Sequence, residues 1–214
     1  NIWYFGSGAG ISFKGAASGV LPVSYNGNGM KATEGCATIC DAAGNLLFYS
    51  NGATIYNKTG AVMTNGSGMA GNISAYQSVL ILPLPGSDSL YYVFTADAFE
   101  NTFARGYNYS IVDMTLDNGL GAVTQKNILL HAPGTERLTA ARHANGSDIW
   151  IITNDYESNI FRNWLLTCTG VQAAPVISTA GEMLDKDRYK NTGCIKVSPD
   201  GKLVCQTYFP NIDS

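Results

Sequence analysis

Glu34-Gly-Cys-Ala-Thr-Ile-Cys-Asp-Ala-Ala-Gly-Asn-Leu-Leu-Phe-Tyr-Ser-Asn-Gly52 is the stretch whose reading decides the fold. Cys36 to Cys40 is short and mostly apolar, and Asp41-Ala-Ala-Gly44-Asn45 carries residues that tolerate a sharp reversal. Gly44 is free to take positive φ there. Leu46-Leu-Phe-Tyr49 then runs apolar without a break, as a strand buried on both faces does. The stretch therefore reads as strand, tight turn, strand.

The same pattern returns three times. With the first hairpin near 36–50, the others are expected near 78–95, 138–153 and 194–208, turning at Gly86, Gly146 and Gly201. The turn glycines recur at intervals of about 40 to 60 residues, and propeller blades repeat at roughly 40 to 50 with insertions allowed. Further strand candidates lie between the hairpins: Thr54 to Tyr56 with Ala61 to Met63, Gly106 to Asp113, and Phe161 to Thr167 with Ala174 to Ser178. Ile2 to Phe5 and Ile11 to Phe13 read as strand, and Lys14 to Lys31 as a long loop or irregular edge. Gly6-Ser-Gly-Ala-Gly10 lacks the Lys-Ser/Thr and the helix of a phosphate loop.

The expectation is an all-β fold, a β-propeller of WD-like blades with four antiparallel strands each. One such blade cannot cover its own two apolar faces; stacked radially, each blade covers its neighbour's. About four blades are the fewest that close a ring, and the sequence stops just after the fourth hairpin. Residues 1–214 are thus expected to be one propeller domain or the N-terminal part of a larger ring, with further domains after 214. The start at Asn1, without Met and straight into an apolar run, reads as a processed or trimmed terminus.

Composition narrows the partners. Thirteen basic residues against 16 acidic give a net charge of -3, so no basic stripe exists for a nucleic-acid backbone. No apolar run approaches the roughly 20 residues of a membrane-crossing helix. The 24 Gly and 12 Tyr suit strands joined by many tight turns. Five cysteines, Cys36, Cys40, Cys168, Cys194 and Cys205, match no zinc spacing. Cys194 and Cys205 sit in the two arms of one hairpin, where either a disulfide or two small buried thiols is open.

Glu34 precedes the first hairpin and Glu136 the third. If the hairpins are equivalent, both carboxylates lie at one end of the ring, near its axis. Such a pair can do acid–base work on a sugar, or each can accept hydrogen bonds from a neighbouring blade. Gln77 opens the second hairpin, where it lines a channel or bridges two strands. His143 ends an inner arm without a second His or Cys nearby, which fits a structural network better than a metal site. Tyr76, Tyr107 and Tyr156, with Tyr25, Tyr56 and Tyr189, fall in or beside expected loops; such rings serve sugar or protein binding, or packing between blades. No nucleophile elbow or calcium loop can be assembled, and no cofactor or metal is expected.

A set of short blocks occurs in order: Trp3-Tyr-Phe-Gly6, Glu34-Gly-Cys-Ala-Thr38, Gly44-Asn-Leu-Leu-Phe-Tyr49, Tyr76-Gln-Ser78, Tyr91-Tyr-Val-Phe-Thr95, Val112-Asp-Met-Thr-Leu116, Glu136-Arg-Leu-Thr-Ala140, His143-Ala-Asn-Gly146 and Ser198-Pro-Asp-Gly201. Together they resemble the N-terminal β-propeller of large Bacteroidota surface proteins, the gliding-motility-associated or type B sorting-domain proteins. The resemblance spans nearly the whole chain. It implies a signal peptide removed on export, later immunoglobulin-like repeats, and a C-terminal domain read by the type IX secretion machinery. It further implies an extracellular or cell-surface location, outer-membrane-associated. Cys40 stands where the family more usually has Ser.

The functional expectation is a non-catalytic adhesion or scaffolding module that binds a surface glycan or protein. The alternatives are a polysaccharide-active enzyme using Glu34 and Glu136, and a structural subunit of a surface filament. A binding module should gather loop aromatics on one face with its carboxylates satisfied. An enzyme needs two carboxylates in a deep cleft, at least one of them perturbed.

Overall fold

A computed structural model describes residues 1–208. The fold is all-β, with one short helix, α1 (Arg188–Asn191), and isolated 3-10 turns. The chain builds antiparallel meanders one after another. The first holds β1 (Ile2–Phe5), β2 (Ser7–Ser12) and β3 (Val23–Lys31). The second holds β4 (Ala37–Cys40), β5 (Leu46–Ser50), β6 (Thr54–Asn57) and β7 (Val62–Ser67). The third holds β8 (Val79–Pro83), β9 (Leu90–Ala96), β10 (Tyr107–Asp113) and β11 (Ala122–His131).

The fourth meander is β12 (Leu138–Arg142), β13 (Ile149–Asn154) and β14 (Ile160–Thr167); its outermost position is split between β15 (Gly170–Val171) and β16 (Val176–Thr179), both on β14. Then β17 (Ile195–Val197) and β18 (Val204–Gln206) pair with each other. All four expected hairpins therefore form, as β4–β5, β8–β9, β12–β13 and β17–β18. Residues 209–214, the last of the expected domain, lie outside the described ones.

The second and third meanders merge into one eight-stranded sheet, because β7 and β11 meet in parallel at Thr64 and Ala122. The two edges of that sheet, β4 and β8, come back against each other, so it is nearly closed and barrel-like. The first strands of successive meanders are neighbours throughout: β1 lies on β4, β4 on β8, β8 on β12 and β12 on β17.

Burial on both faces follows from this stacking. In β9, Tyr91 and Val93 enter one apolar cluster with Phe48, Ile55, Met63 and Val112. The alternate residues Tyr92, Phe94 and Ala96 enter another with Leu138, Ile151 and Trp164. Phe48 and Tyr49 likewise point to opposite faces of β5, Tyr49 into a third cluster with Met30 and Ala32. A strand with period two serves both neighbours only if apolar at every position.

Three readings from the sequence are corrected. The glycine run after Gly6 is strand, in β2, and much of the expected loop before Lys31 is β3. Polar β11, with Thr124-Gln-Lys-Asn127, was not among the expected strands. It is an outer strand, bulged against β10 and open to solvent, and so lacks an apolar pattern.

Hydrogen bonds between neighbouring first strands come largely from side chains. Thr38 Oγ1 accepts from the Tyr4 amide at 2.9 Å, and the Cys40 thiol contacts both the N–H and the carbonyl of Ile2 at 3.4 Å. Thr38 and Cys40 thus occupy the face of β4 that meets β1, and Cys36, just before the strand, continues it by contacting the Tyr4 carbonyl. All five cysteines are free. The considered bridge between Cys194 and Cys205 is absent: Cys194 faces Thr207 across the hairpin and Cys205 is registered with Lys196.

Candidate functional site

Antiparallel meanders place two kinds of segment at one end of the molecule: those leading into each first strand, and those leaving each second strand. Glu34, Tyr76 and Glu136 belong to the first kind, Phe99 and Glu100 to the second. They converge, with Arg188 and Tyr189 of α1, on a pocket of about 240 Å³.

Close approach of the lead-in segments depends on Gly35. A Cβ there would lie 2.4 Å from the Ser78 amide nitrogen. Ser78 Oγ in turn donates to the Gly35 carbonyl at 2.6 Å. The loop carrying Phe99 and Glu100 is shaped by Asp97, which accepts from Asn101 Nδ2 and from the Arg105 amide, each at 2.8 Å. Ser74 Oγ then donates to Glu100 Oε1 at 2.6 Å.

Glu136 is only 2% exposed. Its two oxygens accept from the backbone amides of Tyr76 and Phe99, both at 3.1 Å. Burial raises its carboxyl to about 7 against these two bonds, and the nearby Glu34 and Glu100 carboxylates add to the rise. Glu34 is also raised, by partial burial and then by Glu100. Among the described residues, none of the ion pairs involves Glu34, Glu100 or Glu136. Arg188 instead lies over the rings of Phe99 and Tyr189, its guanidinium carbon 4.9 Å and 4.5 Å from their centroids.

Two side chains beside the pocket are structural. Gln77 bridges strands: Oε1 accepts from the amides of Ile195 at 2.7 Å and Leu138 at 3.3 Å, and Nε2 donates to the Ile195 carbonyl at 3.0 Å. Arg137 is fully buried, and among the described residues it forms no ion pair. It donates to the carbonyls of Lys190, Thr192 and Thr207 and to Asn154 Oδ1. Burial lowers its pKa, and the four acceptors disperse its charge.

The remaining sequence candidates do not join this site. Tyr107 is a core residue, not a loop aromatic: its hydroxyl donates to the Asn154 carbonyl at 3.0 Å and accepts from the Thr135 amide at 2.9 Å. Tyr156 packs half-buried on Phe103. Tyr56 stacks on Tyr49, and Tyr25 meets Tyr4 edge-on. His143 sits at the opposite end, in the β12–β13 turn, where Nδ1 accepts from the Asn145 amide and the ring leans on Trp150.

The sequence reading placed Glu34 and Glu136 at one end and named Tyr76 and Tyr189 among the loop aromatics, but missed Phe99, Glu100 and Arg188. A signal existed for the first two, since residues leaving a second strand share an end with residues entering a first. The class these features define is an all-β protein of stacked consecutive meanders with an acidic, aromatic-walled pocket at one end. No protein-family model, curated protein or solved structure matches the chain.

Proposed function

We propose that the chain is a β-propeller module of a large surface protein, with a non-catalytic role in binding, adhesion or scaffolding. In this reading it is exported by type IX secretion, is found at the cell surface or outside the cell, and serves a surface linked to gliding motility. Its partner is a surface glycan or protein, met at the pocket end. The propeller form is supported by the face-to-face stacking of meanders and the contact between successive first strands.

The observation carrying the non-catalytic role is the tether on Glu136. Both of its oxygens are bonded to the preceding meander, which is the work of a joint between sheets. One observation favours the alternative of a polysaccharide-active enzyme: a carboxyl raised to about 7 beside further carboxylates is suited to general acid catalysis.

Reducing-sugar release from a panel of polysaccharides separates the two. The expected result is no turnover by the purified chain and no difference in Glu34→Gln or Glu136→Gln. Hydrolysis that either substitution abolishes would overturn the reading.

A further inference from the structure

A second cavity, of about 450 Å³, lies between the fourth meander and the last hairpin. One wall is the face of β14 and β16 that carries Phe161, Asn163 and Ser178, with Phe161 and Ser178 opposite each other in register. The facing wall is β18, through Val204 and Gln206. Earlier joints between meanders hold apolar clusters, built from residues such as Phe48, Val93 and Trp164. This joint instead sets amides and a hydroxyl between its two sheets, beside the Phe161 ring.

These amides hold unused acceptors. Asn163 Nδ2 donates to the Val176 carbonyl at 3.1 Å and to Ser178 Oγ at 3.3 Å, and Asn159 Nδ2 donates to the Gly181 carbonyl at 3.3 Å. Among the described residues, neither Oδ1 accepts a hydrogen bond. Gln206 is the independent sign of an occupant: its Oε1 is buried, and among the described residues no donor meets it. A buried acceptor left unpaired is costly, and a hydroxyl bound in the cleft removes that cost once the amide turns to it. Charge plays no part in the lining. Glu182, its one charged side chain among the described residues, already accepts from Lys190 Nζ at 3.3 Å and from the Tyr208 hydroxyl at 3.1 Å.

We propose that this cleft binds a neutral sugar residue, with its C–H face against the Phe161 ring and its hydroxyls donating to Asn159, Asn163 and Gln206. A pyranose is apolar on its ring faces and carries hydroxyl donors around its rim, which matches an aromatic ring among amide acceptors. The volume lies within the range of small-ligand sites. An added apolar strand, the other occupant that a cleft between sheets could take, would set its side chains against these amides and leave them unpaired. The inference rests on the binding-module reading and deepens it by choosing a glycan over a protein. Asn159 lies in the turn after β13, at the end of the molecule where that reading places the partner.

The test is amide NMR of the whole chain, titrated separately with methyl β-glucoside, methyl α-mannoside, methyl β-galactoside and N-acetylglucosamine, each to about 50 mM. At least one is expected to shift the side-chain amide signals of Asn163 and Gln206 saturably, with a Kd of about 1–10 mM. Phe161→Ala should weaken that binding about tenfold, and Asn159→Ala severalfold. The backbone spectrum of each variant shows that it is folded. No saturable shift with any of the four overturns the proposal, as does binding that neither substitution weakens. A capped Thr-Val-Thr-Val-Thr peptide that shifts the same signals where no sugar does would assign the cleft to a strand and overturn it too. Failure here leaves the non-catalytic reading intact with a protein partner, whereas polysaccharide hydrolysis lost in Glu136→Gln would overturn that reading and leave this cleft a sugar site.

Discussion

Glu136 shows how one buried carboxylate joins two sheets. Its ordinary value of 4.5 rises to about 7 in the folded state, chiefly through burial. The unfolded chain gives up this proton near pH 4.5, while the folded chain keeps it to near neutrality. Stability from this group is therefore full at low pH and falls as pH rises from about 4.5 to about 7, by on the order of 3 kcal/mol. Thermal melts from pH 4 to pH 8 should show that slope in the natural protein and lose it in Glu136→Gln. At low pH the variant should be less stable by about 1–3 kcal/mol, because its amide nitrogen confronts a backbone donor, and the gap should close towards pH 8 as the natural protein loses the contribution of its protonated carboxyl. An unchanged slope in the variant would remove Glu136 as its source. At the same scale, Tyr107→Phe should cost about 1–2 kcal/mol in denaturant unfolding, since two buried partners lose the hydroxyl. A neutral result would mean that the Thr135 hydroxyl re-forms the network alone.

Between elements, side chains take the place of strand pairing. First strands of neighbouring meanders pack together without a backbone ladder joining them, and their exposed groups are met by Thr38, Cys40, Ser78 and Gln77. Gln77 contributes most, holding β12 and β17 at once. Gln77→Leu keeps the bulk and removes three hydrogen bonds. It should speed hydrogen exchange at the amides of Ile195 and Leu138 by roughly ten- to a hundredfold, matching about 1.4–3 kcal/mol of local stability. Protection equal to that of the natural protein would show that packing alone fixes β17. These joints also explain why sequence reading stopped where it did. That Gln77 opens a hairpin was legible, with lining a channel and bridging strands both open. Only the register of three separate hairpins around it decided for bridging.

On the scale of the whole molecule, each inner sheet face is covered by the next meander, while the two outermost faces stay apolar. Trp3 and Phe5 are exposed on the first sheet, Val176 and Ile177 on β16 at the edge of the fourth meander, and Val204 on the last hairpin. Apolar surface of this kind favours association. Sedimentation of the purified chain should show concentration-dependent self-association, weakened by Trp3→Ser with Phe5→Ser. A monodisperse monomer that binds no hydrophobic dye would mean that these faces are too small to matter.

Local pattern carried the hairpins. Unbroken apolar arms such as Leu46 to Tyr49 and Ile149 to Ile152, each beside a glycine turn, fixed strand type, turn position and burial on two sides, because period-two side chains and positive φ are properties of neighbouring residues. Solvent-facing β11 and the glycine-rich β2 stayed hidden, since partners distant in the chain make them strands. The pocket divides in the same way. Glu34 and Glu136 could be placed at one end from their common position before first strands, whereas the loss of Tyr107 to the core and the arrival of Arg188 over Phe99 could not be read. Charge, exposure and proton affinity belong to a surrounding that exists only after five separate segments have met.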